Sequence, residues 1–195
     1  MTELQYFPSI AAYVSSIRGP GFDTRGDEPF RRMSFRNRCI IAAANGPLTL
    51  SIPVEGGRGV RLPYRDVMIC EGGDWRARHW KSIASAYGRS PWFFHHADRL
   101  EALFRAPAGR LMAWNLACLE WVDAALGLEG LERRNVSIPD APGLRDAITP
   151  RNYREYASCG PYTQVFFEKT GFLPNLSILD FVMCAGRSRL GLLGL

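Results

Sequence analysis

At 195 residues, with 47% hydrophobic and 22% charged positions, the chain has the size and balance of one globular domain that buries its own core, a composition that indicates neither a fibrous repeat nor a disordered chain. No apolar run reaches the ~18 residues a membrane helix needs, and Met1-Thr2-Glu3-Leu4 lacks the basic and apolar stretches of a secretory signal, so a cytoplasmic protein without membrane insertion is expected. The formal charge of +5 is almost all arginine, since only Lys81 and Lys169 are lysines; that skew fits a coding bias and is also compatible with phosphorylated or nucleotide-linked substrates or transfer RNA.

In chain order, residues 16–34 are rich in glycine, proline and charge and read as a loop within the domain. From Phe35 to Val54 two alternating segments flank Asn45-Gly46, a dipeptide suited to a type I′ turn, which predicts a β-hairpin. A two-residue turn there sets Ile41 opposite Leu50, Cys39 opposite Ile52 and Asn37 opposite Val54. Asn37 then lies on the apolar face, and Arg38 on the other with Ser51 and Thr49. Val60 to Cys70 allows one or two further strands, interrupted at Pro63.

Three helices follow. Asp74 precedes Trp75, His79, Ile83 and Tyr87 at intervals of four; Ser90-Pro91 opens a helix through about Phe104; and a third, over about 109–126, aligns Met112, Leu116, Leu119, Val122 and Leu126. Asn135 to Ile138 reads as a strand and Thr149-Pro150 as the start of a short helix to Tyr156. A turn at Gly171-Phe172-Leu173-Pro174 leads into a last helix from about Leu176 to Cys184, where Ser177 and Asp180 have capping-box spacing. The fold class is therefore mixed α/β: one domain over 1–195, a mixed β-sheet containing the 35–54 hairpin packed against a central group of helices.

The segments Tyr6-Phe7-Pro8, Ser34-Phe35-Arg36-Asn37-Arg38-Cys39, Leu50-Ser51-Ile52-Pro53-Val54, Trp75 with His79-Trp80, and Ala86-Tyr87 before Ser90-Pro91 occur in this order. They are followed by Tyr162-Thr163-Gln164-Val165-Phe166 and by the run from Gly171 to Asp180, and together they resemble the WbqC-like family across nearly the whole chain. Residues 16–34 depart from that family's strand-like acidic stretch, echoing it only in Glu28 and in Arg31 or Arg32. Members are encoded among genes for surface polysaccharides such as O-antigen and have been proposed to be glycine transferases. The resemblance thus implies transfer of an aminoacyl, foremost glycyl, group to an amino sugar or similar small amine.

Such a reaction needs a base, oxyanion donors and an anchor for an anion. His79 is the candidate base, against the alternative of a hydrogen-bonded core histidine. Asn37 and Arg38 are candidate substrate anchors, against a structural network tying the strand to the 16–34 loop. Tyr162 and Gln164 are candidate contacts, against a half-buried strand. Asn175 is a further candidate, just ahead of a helix whose free N–H groups favour an anion.

A thiol enzyme using Cys39 or Cys159 with His79, or a non-catalytic module that holds a sugar nucleotide or a partner, are the alternatives. The five cysteines are odd in number, without a CxxC pair, and read as reduced thiols; adjacent His95 and His96 find no partner spacing for a metal. The sequence has neither GxxxxGK[ST] nor GxGxxG after a strand, so no cofactor is expected. The acyl group must arrive activated, on aminoacyl-tRNA or a carrier protein, and the acceptor would be a small-molecule amine or nucleotide-sugar.

Overall fold

In the computed structural model, residues 2–56, 61–129, 147–156 and 159–195 are described. The chain is mixed α/β, but its strands form two small sheets. β1 (Thr2–Glu3) and β2 (Phe22–Asp23) pair in parallel, while β3 (Arg38–Ala43) and β4 (Gly46–Ser51) form the antiparallel hairpin. Between β1 and β2 lies α1 (Ile10–Arg18), so the expected loop over 16–34 begins as helix. Ser9 caps it by accepting from the Ala12 amide. That helix was not anticipated; Ile10 to Val14 and Ser16 are buried along it.

The hairpin forms with a register shifted from the expected one. Cys39 pairs with Leu50 and Ile41 with Leu48, so the turn is Ala44-Asn45. A type I′ turn centred on Asn45-Gly46 requires positive φ at both residues, and here only Gly46 has it, at 106°. A slip of two positions preserves side-chain parity. Cys39, Ile41, Leu50 and Ile52 therefore share one buried face as expected, with Arg38 on the other beside Ser51.

No strand forms among the described residues of the 60–70 segment. It contains a 3-10 turn at Tyr64–Asp66 and isolated bridges that pair Ile69 with Val54 and Met68 with Arg110. The expected strand at 135–138 lies outside the described residues.

The central helices are α2 (Trp75–Tyr87), α3 (Phe93–Arg105) and α4 (Leu111–Leu126). On α2 the expected stripe of Trp75, His79, Ile83 and Tyr87 is buried. On α4 the buried surface extends beyond the expected stripe to Trp114, Asn115, Cys118 and Trp121, as suits a helix enclosed on several sides.

Residues from α1, the hairpin and all three helices join one contiguous core. After the Tyr153–Glu155 turn and the short α5 (Phe167–Thr170), α6 (Ile178–Cys184) closes the molecule, fully buried through Met183. Gly186 follows at φ 64°, where the Trp92 indole occupies the space a Cβ would take. With the Trp92 amide donating to the Met183 carbonyl, this contact fixes the start of α3 against the end of α6. None of the described helices is long and apolar enough to cross a membrane.

A candidate cleft above a buried aspartate

Asp180 is the charged residue in the otherwise apolar α6, and it is fully buried. A carboxylate taken from water without partners is expensive, and three donors meet this one. The Tyr87 hydroxyl, from the end of α2, donates to Oδ1 at 2.9 Å. The Tyr162 hydroxyl at 2.6 Å and Gln164 Nε2 at 2.8 Å donate to Oδ2.

Each donor is itself held. Tyr87 accepts from the Ala42 amide, linking the site to β3, and Gln164 exchanges two hydrogen bonds with the Leu173 backbone, bracing the chain between them. Burial raises the Asp180 pKa against the opposing pull of Tyr162, Gln164 and Tyr87. Burial, then the Asp180 charge, pushes both tyrosines well above the ordinary range. Asp180 thus clamps α2, α6 and the 162–164 segment, and the capping-box expectation is corrected: Ser177 caps α6 alone, by accepting from the Leu179 amide.

Beside this centre opens a cleft of about 690 Å³ between the end of α2, residues 163–169 and Cys184. Ala86, Val165 and Phe166 give it an apolar surface, while Ser85, Ser90, Thr163 and Gln164 add hydrogen-bonding groups and Arg89, Glu168 and Lys169 add charge. Its mixture of apolar wall and a few polar groups is that of a small-molecule site. Gln164 belongs to both the cleft and the Asp180 cluster.

The remaining expected site residues lie elsewhere. His79 is 5% exposed, against Tyr6, Trp75 and Phe104. Its Nδ1 lies 3.0 Å from the Tyr6 hydroxyl and it hydrogen-bonds the Ser51 backbone, so Nδ1 is the acceptor when the other nitrogen donates to Ser51. Burial lowers its pKa to about 4. It is neutral at pH 7 and poor at taking a proton, the arrangement of a core histidine tying α2 to β4.

Asn37 donates to the Ile52 carbonyl at 3.0 Å, extending the hairpin ladder by one pair, and half-buried Arg38 sits across from Ser51. These two and His79 are therefore neighbours around the end of β4. The tie to the loop comes instead from Arg36, which pairs with Glu3 at 3.3 Å and Glu28 at 3.0 Å and donates to the Pro29 carbonyl. Asn175, at φ 52°, accepts from the Ala11 amide and donates to the Tyr153 carbonyl, joining α1 to the 3-10 turn.

The six residues thus occupy three places. Asn37, Arg38 and His79 lie at the hairpin, Tyr162 and Gln164 at Asp180, and Asn175 at the start of α1. Gln164 alone among them lines the cleft. Asp180, Tyr87 and Arg89 were not singled out as site residues; the signal was a lone carboxylate inside an apolar helix, which demands donors.

The cysteines are all unpaired. Burial raises the Cys159 thiol to about 11 and the Cys39 and Cys184 thiols further, so none is held as the thiolate a nucleophile requires. Among the described residues no cluster of His, Cys, Asp and Glu has the geometry of a metal site.

No curated protein and no solved structure matches the chain. The model of the WbqC-like protein family matches residues 6–146, from Tyr6 through the hairpin and the three central helices, and stops short of Tyr162 and Asp180. That match takes in well over half of the sequence, and the chain belongs to the WbqC-like protein family.

Proposed function

We propose that the protein transfers a pre-activated aminoacyl group, glycyl foremost, to the amine of a small sugar-type acceptor that lies in the cleft beside Asp180. The observation that supports this reading most is the 690 Å³ cleft, whose lining offers the Ser85 and Thr163 hydroxyls for sugar hydroxyls, Phe166 for the apolar sugar face, and Glu168 for an ammonium group. In the reaction the acceptor nitrogen forms a bond to the acyl carbon as the donor's ester or thioester bond breaks. The proton released by the amine ends on the departing oxygen or sulfur. The Asp180 clamp acts by position, holding Gln164 and the two cleft walls at fixed separation.

A role in building surface polysaccharide in the cytoplasm is the setting we propose, with aminoacyl-tRNA or an acyl carrier protein as donor. The test is to incubate the protein with radiolabelled glycyl-tRNA, or a glycyl thioester, and a panel of nucleotide-linked amino sugars. Mass spectrometry should find an acceptor heavier by one glycyl residue, and Gln164→Leu should abolish the product. A panel without any glycylated product in either donor series would end the transferase reading.

A second reading, a module that binds the acceptor without chemistry, is favoured by the placement of His79, whose lowered pKa and occupied nitrogens remove the expected base. Calorimetric binding of the amino-sugar nucleotide without turnover would select it. The thiol-hydrolase reading loses support with its nucleophiles held protonated.

A further inference from the structure

We infer that Arg89 and Lys169, together with Ser90, hold a phosphate ester in the cleft, so that the acceptor is a phosphorylated or nucleotide-linked sugar; this rests on the reading of the cleft as the acceptor site. Arg89 follows the last turn of α2, where Gly88 donates to the Ala84 carbonyl and Ser90 to the Tyr87 carbonyl, so the arginine leaves the helix on a tight, hydrogen-bonded turn. Lys169 comes from α5, a separate element that also lines the cleft.

Arg36, Arg65, Arg76 and Arg105 each meet a carboxylate of this chain. Among the described residues neither the Arg89 nor the Lys169 side chain has a hydrogen bond or an ion pair. Ser90, 8% exposed, also lines the cleft, and its Oγ is buried and has no hydrogen-bond partner. An orphaned hydroxyl is costly unless something meets it, and it rotates to suit an acceptor.

Two cations from different elements converging on one concavity suit an oxyanion with several acceptor oxygens, for which arginine supplies a fork and lysine a point charge. Glu168 is the carboxylate of the lining and leaves the cleft with a net charge of one plus. It also sets a sign that the experiment can read, because removing it should strengthen anion binding. A polynucleotide is the less fitting occupant, since backbone binding draws on many cations spread along a surface.

The test is isothermal titration of the full chain with glucose 1-phosphate, UDP-glucose, inorganic phosphate and glucose. The two sugar phosphates should bind, inorganic phosphate more weakly, and glucose not at all. Arg89→Ala and Lys169→Ala should each weaken glucose 1-phosphate binding by about tenfold or more, and Glu168→Gln should tighten it. All three residues are exposed, and unchanged thermal melts will show that the variants fold.

Equal binding of glucose and glucose 1-phosphate, or unchanged affinity in both cation variants, overturns the inference. So does tight, steeply salt-dependent binding of transfer RNA with no binding of the small phosphates. Sugar-phosphate binding without glycyl transfer leaves this subsite standing and removes the transferase reading. Transfer with an unchanged acceptor KM in Arg89→Ala and Lys169→Ala does the reverse.

Discussion

Removing a single oxygen, Tyr87→Phe, tests whether the Asp180 centre holds the cleft walls together. The Tyr87 hydroxyl donates to Asp180 Oδ1 at 2.9 Å and accepts from the Ala42 amide at 3.2 Å, and the residue is fully buried. Phenylalanine fills the same space, so little packing is lost, but a backbone N–H of β3 and one acceptor position of a buried carboxylate lose their partner. An orphaned group costs roughly 1–3 kcal/mol, and because Asp180 keeps Tyr162 and Gln164 as donors the two losses together come to about 2–4 kcal/mol. For a chain of this size that lowers Tm by about 5–15 °C.

The cost should also depend on pH. Burial raises the folded-state pKa of Asp180 above the ordinary aspartate value of 3.8, so the folded protein binds a proton more readily than the unfolded chain. Asp180 ionisation therefore erodes stability as pH rises through the window above 3.8, and the donors to the carboxylate limit the loss. Deleting the Tyr87 donor enlarges the penalty at neutral pH and matters less once Asp180 is protonated. Urea unfolding followed by circular dichroism should show a gap between wild type and Tyr87→Phe that narrows as pH is lowered from 8. A gap below about 1 kcal/mol at pH 8, or one that widens in acid, would refute the reasoning.

Other consequences are as direct. His79 has its folded pKa lowered from 6.5 to about 4, so stability is intact above pH 6.5 and is lost as pH falls toward 4, by on the order of 3 kcal/mol; NMR titration should find its imidazole still neutral at pH 5.5, and a midpoint near 6.5 would contradict its burial. Asn175→Ala should destabilise by about 2–4 kcal/mol through the lost contacts to Ala11 and Tyr153, and Asn175→Gly by about 1 kcal/mol less because its φ of 52° is left-handed, as chemical denaturation would show. Arg36→Ala should cost about 3–5 kcal/mol by leaving Glu3 buried without its cation, again read by denaturation, whereas a surface ion pair would cost under about 1 kcal/mol. In the native protein Cys39 and Cys118 should resist a thiol reagent that labels partly exposed Cys70, and reductant should leave the melting curve unchanged.

Periodicity and turn chemistry by themselves determined the central helices, the faces of the hairpin and the final helix. These are properties of neighbours in sequence: a stripe at intervals of four needs a core on one side, and alternation needs a sheet with one face covered. The motif set likewise placed the chain in its family before any coordinate. The exact hairpin register was not local information, since it turned on which residue takes positive φ, and the slip of two kept every side chain on its expected face.

The roles of the polar residues were decided only in three dimensions. For Asn37 and His79, the groups that meet them, the Ile52 carbonyl, the Ser51 backbone and the Tyr6 hydroxyl, follow from the shifted hairpin register and from the packing of α2 against β4 and the N-terminal segment. Asp180 read locally as a capping residue, and became a buried clamp because α2 and the 162–164 segment bring Tyr87, Tyr162 and Gln164 to it. The cleft exists only where those elements meet, so Arg89 and Lys169, eighty positions apart in the chain, acquire a common purpose from packing. A side chain's chemistry is set by what surrounds it, and for a buried polar group the surroundings are long-range contacts that sequence spacing does not encode.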